Sequence, residues 1–262
     1  IATAVQAGRP VVLGMGAHPL KVGLSPLIID LLERNIISAI AMNGAGIIHD
    51  FELAYQGATS EDVAASLDTG QFGMARETGE ILNAAIRTGV LEKGLGIGRA
   101  VGERIQAEQF PHASLSVLGA CARLDVPACV HVAIGTDIIH MHPQADGAAI
   151  GQGSLRDFHL LTSVVAQLEG GVFINLGSAV IIPEVFLKAL SLARNLGPTV
   201  KAFTTVDLDF IRHYRPTVNV VHRPTQQGGR GFQLTGHHEI LFPLLCAAVL
   251  EVLEAPEEIG RT

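Results

Sequence analysis

The clearest pattern along the chain is an alternation of short apolar runs with longer segments of helical periodicity. Strands that alternate with helices along a whole chain predict an α/β fold, with a parallel sheet covered by helices on both faces. The apolar runs that predict buried strands are Val11 to Gly16, Ile36 to Met42, Ala128 to Ala133, Val172 to Leu176 and Val200 to Thr205, with Thr217 to His222 as a further candidate.

Several predicted helices carry start signals. Ser25 and Pro26 suit the N-cap and the first helical position, and Thr59 to Asp62 resembles a capping box. Other helical patterns follow Ile48, cover Phe72 to Leu91, Ser114 to Leu124 and Leu155 to Leu168, and begin near Pro183 and near His237. No internal repeat or linker interrupts these elements, so we expect a single domain over residues 1–262.

Three predicted strands end in turns made of small residues. Asn43 to Gly46 follows the second strand and leads into a helix, and comparable turns occur at Gly16 to His18 and at Gly177 to Ala179. Ligands of parallel sheets bind outside the carboxyl ends of the strands. Backbone N–H groups and a helix N-terminus at such a turn suit an anionic ligand such as a phosphate.

A polar cluster follows the third predicted strand. It contains Asp137, His140 and His142, and His237 precedes the last predicted helix. An imidazole titrates near neutral pH, so His140, His142 and His237 are candidate catalytic bases. As an alternative, His131, His140, His142 and His237 are candidate ligands of a divalent metal ion.

The glycines of Gly94 to Gly98 invite comparison with a dinucleotide-binding fingerprint. That fingerprint follows a strand, whereas a long helical pattern precedes this segment, and Arg99 takes the place of the last glycine. The segment therefore predicts the end of one helix and the start of the next.

Composition favours one large apolar core and a small-molecule ligand. Of 262 residues, 48% are hydrophobic and 16% are charged, and no apolar run reaches the length of a membrane span. A net charge of −7 without basic runs argues against nucleic acid and an anionic membrane as partners. Three cysteines in apolar surroundings indicate reduced, buried thiols of a cytoplasmic protein.

The segment from Gly44 to Phe51, taken with Lys21 to Leu24 and Leu241 to Leu245, resembles the deoxyhypusine synthase family. The resemblance spans roughly Val11 to Leu250. It implies a Rossmann-like NAD-binding fold, tetramers with sites between paired subunits, and NAD-dependent dehydrogenation of spermidine. The cofactor positions that the resemblance implies are Ala17, His18, Asn43, Gly44, Ala45, His49, Asp137, Ser178, Ala179, Thr204, Thr205 and Gly236.

The chain departs from that family at the residues that carry its chemistry. Ile48 and His49 stand where the family has two glutamates, and His142 replaces an aspartate that binds the polyamine. The family's catalytic lysine lies in a Trp-Gly-Lys motif, but this chain has no Trp and its corresponding region, Pro224 to Gly236, has no Lys. Without that amine an enzyme–substrate imine cannot form by the family's route, so we expect that the protein does not make deoxyhypusine.

Three functional hypotheses follow. The first is an NAD-dependent enzyme, a transferase or oxidoreductase, that acts on a small amine- or hydroxyl-bearing substrate and forms a homo-oligomer. The second is a metal-assisted hydrolase or lyase that uses the histidine ligands. The third is a non-catalytic nucleotide sensor that keeps the fold and the pocket.

Overall fold

A six-stranded, all-parallel sheet forms the centre of the protein, in a computed structural model that describes residues 1–255. The strands are β1 (Val11–Met15), β2 (Ala39–Asn43), β3 (Ala128–His131), β4 (Val172–Leu176), β5 (Thr204–Asp209) and β6 (Arg230–Thr235). Their order is β3-β2-β1-β4-β5-β6. This α/β, Rossmann-like architecture with helices on both faces confirms the predicted fold class.

Twelve α-helices are present in the described part of the chain. They are α1 (Ala2–Gln6), α2 (His18–Lys21), α3 (Ser25–Glu33), α4 (Gly44–Gln56), α5 (Val63–Leu67), α6 (Arg76–Arg87), α7 (Ile97–Glu108), α8 (Val117–Leu124), α9 (Gly147–Val165), α10 (Ile181–Asn195), α11 (Tyr214–Pro216) and α12 (His238–Glu254). Short π-helical turns cover Thr88–Glu92 and Thr217–His222, and 3₁₀ turns cover Ala113–Leu115, Ile138–Met141 and Arg223–Thr225.

Alternate residues of the central strands pack into two separate cores. Leu13 and Met15 of β1 point to the core shared with α3, α4, α7, α8 and α12. Val12 of the same strand and Phe173 of β4 point to the other core, which contains α9 and α10. The period of two along a strand explains this division, and burial on both faces explains why β1 and β2 are almost entirely apolar.

The structure corrects the element boundaries around β5. Thr204 and Thr205 begin this strand, opposite Val172 and Phe173 at the start of β4, so the prediction that they end it is wrong. Thr217–His222 forms a π-helical turn, not a strand. The helix predicted from Thr59 starts instead after Asp62, whose side chain accepts a hydrogen bond from the Ala65 N–H.

Within residues 1–255, none of the helices combines the length and the apolar character that crossing a membrane requires.

All three cysteines, Cys121, Cys129 and Cys246, are buried free thiols. Burial raises the pKa of each, so they are protonated at neutral pH.

Candidate functional site

The sheet order creates a crevice between the carboxyl ends of β1 and β4, where the chain changes direction across the sheet. The Gly16 N–H donates to the Leu176 carbonyl at 3.0 Å. A Cβ atom at Gly16 would lie 2.3 Å from the Gly177 carbonyl oxygen, so only glycine permits this approach of the two turns. Ser178 accepts a hydrogen bond from the Ile182 N–H in the first turn of α10.

The predicted turn after β2 lies beside this crevice and begins α4. Asn43 is the N-cap, because its side-chain oxygen accepts a hydrogen bond from the Gly46 N–H at 3.1 Å. A Cβ atom on Gly44 would lie only 1.9 Å from Oδ2 of Asp137, so the missing side chain is what makes room for this carboxyl. The first turn of α4 and the segment after β3 are therefore in direct contact.

Asp137 and His140 form a buried pair at this contact. Nδ1 of His140 accepts hydrogen bonds from the N–H groups of Gly135 and Asp137, and its Nε2 lies 3.9 Å from Oδ2 of Asp137. Neither Nε2 nor Oδ2 has a hydrogen-bond partner among the described residues. Burial raises the pKa of Asp137, with the His140 charge opposing that effect.

A cavity of about 220 Å³ lies next to this pair, and we call it the α4 cavity. Its wall includes Lys21, Ala45, His49 and Asp137. A neighbouring open cavity of about 460 Å³ lies between α4 and residues 60–78. Both cavities share Glu52 and Glu61, and Glu77 lines the second one, so carboxyl groups dominate their charge.

His142 does not reach either cavity. It is 8% exposed, its ring lies against Gly79 of α6, and its Nε2 is 3.0 Å from the Gly73 carbonyl oxygen. These contacts join the 3₁₀ turn Ile138–Met141 to the loop before α6. The structure therefore gives His142 a structural place, against its predicted catalytic role.

The predicted metal cluster is not assembled. His131 ends β3, whereas His237 follows β6, five strand spacings or roughly 24 Å across the sheet. The His237 side chain is 70% exposed, while His131 is buried and its pKa is lowered by that burial to about 4. In residues 1–255, no three His, Cys, Asp or Glu side chains meet in a way that could hold a metal ion.

The remaining predicted cofactor residues divide between the two edges of the sheet. Ala17, His18 and Ala179 lie in the turns after β1 and β4, and Gly236 follows β6 and donates its N–H to the Asp209 carbonyl. Thr204 and Thr205 begin β5 at the opposite edge, so they cannot line the same crevice. The roles of the residues at the carboxyl edge stay predictions.

A second buried polar group at the carboxyl edge did not emerge from the sequence. Asp209 ends β5, and its two carboxyl oxygens lie 3.6 Å from Nε2 of His238 and 3.8 Å from Nε2 of His213. The His238 ring is also 5.4 Å from that of His18. The strand prediction stopped at Thr205, so Asp209 was not recognised as a strand-end residue.

Comparison with known proteins establishes the fold and no closer relationship. No family model and no curated protein matches the chain. A LOR/SDH protein from Methanococcus maripaludis S2 superposes with a TM-score of 0.58 at 18% identity, over 96% of this chain and 64% of its own. The ternary complex of AgrE with ornithine and NAD⁺ gives 0.56 at 15% identity, over 96% and 31%.

A putative deoxyhypusine synthase from Entamoeba histolytica gives a TM-score of 0.55 at 13% identity, over 95% of this chain and 78% of its own. The fold that the sequence resemblance implied is thus shared with a protein of that description. The chain spans less than two thirds of the LOR/SDH protein and about a third of AgrE.

Proposed function

We propose that the protein is an NAD-dependent enzyme that acts on a small amine-bearing substrate. The observation that carries this proposal is the crevice between β1 and β4. Open α/β sheets bind nucleotides at such a crevice. Here the turns after the two strands meet through Gly16 and Gly177, neither of which has a side chain. The residues present fit a dinucleotide, since α4 begins with the small residues Gly44 and Ala45, and Lys21 lines the cavity beside Ala45. AgrE, which has a similar fold, binds NAD⁺ together with ornithine.

Charge around the two cavities supports an amine as the substrate. The glutamates that the resemblance places in the turn are absent, but Glu52 and Glu61 supply carboxyl groups from one turn later in α4 and from the following loop. Opposite charge is what an ammonium group requires in a partly enclosed site. The loss of the family's acidic positions therefore does not remove negative charge from the site.

When bound, NAD would supply the acceptor for a hydride from the carbon that carries the amine. The substrate must also release a proton, and Asp137 is the residue best placed to accept it, because Asp137 lines the α4 cavity and burial raises its pKa. His140 is not the free base that the sequence predicted, since its Nδ1 already accepts two backbone N–H groups. In its neutral form His140 carries its proton on Nε2, which lies 3.9 Å from Oδ2 of Asp137.

Isothermal calorimetry with NAD, ADP-ribose and AMP tests this proposal. We expect NAD to bind and ADP-ribose to bind more weakly. Ala45→Leu adds a larger side chain to the first turn of α4, which lies beside the crevice, so NAD should bind at least about tenfold more weakly to this variant. Ala84→Leu, at an exposed position of α6, is the matched control and should leave binding unchanged.

Turnover is followed at the absorbance of the reduced nicotinamide with a panel of amines and amino acids. A folded protein that does not bind NAD contradicts the proposal. Binding of NAD without turnover of any compound would favour the nucleotide sensor instead.

A further inference from the structure

A chain of hydrogen bonds runs through the wall between the two cavities. Nδ1 of His49 lies 2.6 Å from Oγ1 of Thr59, and this hydroxyl donates to Oε2 of Glu52 at 2.5 Å. Thr78 donates to the other oxygen of the same carboxyl at 3.2 Å. Glu52 is 7% exposed, so its carboxyl is held by two hydroxyls inside the protein.

The single proton of the Thr59 hydroxyl fixes the tautomer of His49. Because that proton is donated to Glu52, Thr59 can only accept from the imidazole, so Nδ1 of His49 carries a proton. Burial and the nearby Lys21 charge lower the pKa of His49 to about 4. At neutral pH the ring is therefore uncharged, and its Nε2 presents a lone pair.

That lone pair is free to meet a ligand. His49 lines the α4 cavity and keeps 17% of its side chain exposed. Among the described residues, Nε2 of His49 has no hydrogen-bond partner. A neutral acceptor in this place attracts an N–H or O–H donor, whereas a phosphate or carboxylate oxygen would face it lone pair to lone pair.

We propose that His49 recognises the amine of the substrate by accepting one of its N–H groups at Nε2, and that Thr59 and Glu52 are the positioning residues that hold the required tautomer. This inference rests on the proposed function for the nature of the substrate. Asp137 and Glu61 line the same cavity and supply the charge that an ammonium group needs. Lys21 lines the same cavity and its charge reaches His49, so an anionic group of the substrate would be drawn to Lys21.

Nitrogen-15 NMR of the histidine-labelled protein, without any cofactor, tests the tautomer. The expected result at neutral pH is a protonated Nδ1 and an unprotonated Nε2 for His49. Thr59→Val keeps the shape of the side chain but removes the hydroxyl. It should lower the ratio of the Nδ1-protonated to the Nε2-protonated tautomer of His49 roughly tenfold, the change expected for one hydrogen bond of about 1.4 kcal/mol. Thr59→Ser restores the hydroxyl and should restore the ratio.

Thr78→Val is the matched control, because Thr78 donates to the same carboxyl without touching His49. Titration with n-butylammonium should shift the Nε2 signal of the wild type in a saturable manner, and Thr59→Val should need up to about tenfold more n-butylammonium for the same shift. Inorganic phosphate should not move this signal.

A protonated Nε2 in the wild type, no response to n-butylammonium, or a response to phosphate would each overturn the inference. These NMR measurements need no NAD. The calorimetry can therefore show no NAD binding while the NMR supports the role of His49, and NAD can bind while the NMR contradicts that role.

Discussion

At the scale of single residues, Gly44 shows why a small-residue turn is needed in this site. The sequence predicts the turn from its composition, but it does not reveal which group fills the space over the glycine. In the structure that group is the carboxyl of Asp137, which comes from a segment more than 90 residues later. The same holds for Thr59, whose contact with His49 depends on a segment without a strong periodic pattern.

Substitution of Gly44 has a direct physical consequence. In Gly44→Ala the new Cβ would lie 1.9 Å from Oδ2 of Asp137, so the carboxyl must move, and we expect the free energy of unfolding to fall by about 2 kcal/mol. Gly147→Ala is a close control. Gly147 also follows an N-cap residue at the start of a long helix, and its Cβ would meet nothing within 4 Å.

Urea denaturation of both variants measures the difference, and Gly147→Ala should change stability by no more than about 0.5 kcal/mol. Equal stability of the two variants would show that Asp137 does not occupy the space above Gly44.

At the scale of elements, local propensity and topology disagree between β5 and β6. Thr217–His222 is rich in β-branched residues, which favour a strand. Since β5 and β6 are parallel, the chain between them must cross back over the sheet, and this segment belongs to that crossover. Val220 and Val221 are buried there as part of a π-helical turn, so the connection decides the structure and the composition does not.

Another interaction between elements joins α4 to α8. Asp50 is fully buried in α4, and its carboxyl accepts hydrogen bonds from the N–H groups of Val117 and Leu118 and from the Ser116 hydroxyl, at 2.7, 3.2 and 2.5 Å. A carboxylate at a helix N-terminus is favoured by the unpaired N–H groups and the helix dipole. Asp50 thus closes the first turn of α8 from a neighbouring helix.

We expect Asp50→Ala to lower the free energy of unfolding by about 3 kcal/mol, because two buried N–H groups and a hydroxyl lose their acceptor. Ser116→Ala removes the local cap and the hydroxyl that donates to Asp50, and should cost about 1 kcal/mol. The double variant should lose less than the sum, since the two side chains share one hydrogen bond. Urea denaturation of the three variants measures these losses. If the loss in the double variant equals the sum of the two single losses, the predicted coupling between Asp50 and Ser116 is wrong.

At the scale of the whole molecule, the alternation of patterns was sufficient to predict the fold class, because apolar strands that alternate with helices are typical of a parallel sheet covered on both faces. The strand-end turns at Asn43 and Gly177 were predictable for the same reason, since parallel strands place their carboxyl ends at one edge. The contacts between side chains in the site could not be predicted in this way. Thr59, Asp137 and Asp209 come from loops or strand ends, and the residues that they contact belong to other elements. The single domain, the homo-oligomer and the cytoplasmic location stay predictions.

One buried carboxyl couples the stability of the whole molecule to pH. Asp157 of α9 is 1% exposed, and its Oδ2 accepts hydrogen bonds from the N–H groups of Gly98 in α7 and Val130 in β3, at 3.0 and 2.8 Å. Its Oδ1 has no partner among the described residues. Burial raises the pKa of Asp157 from 3.8 to about 7, although these hydrogen bonds oppose the rise.

The folded state therefore binds a proton at Asp157 more tightly than the unfolded chain does. The stability that this group contributes is complete below about pH 4, declines as the pH rises, and is lost above the folded pKa of about 7. Three pKa units correspond to about 4 kcal/mol. Asp157→Asn keeps an oxygen for the two N–H groups but cannot ionise. The wild type should therefore lose up to about 4 kcal/mol of stability, relative to this variant, as the pH rises from about 4 to about 8.

Urea denaturation across this range measures the effect, with Asp68→Asn at an exposed site of the chain as the control. The control should follow the wild type at every pH, because its carboxyl has water around it in both states. Parallel curves for Asp157→Asn and the wild type would mean that Asp157 ionises as easily inside the protein as outside it. In that case the hydrogen bonds from α7 and β3 compensate fully for burial, and the pH dependence of the molecule arises elsewhere.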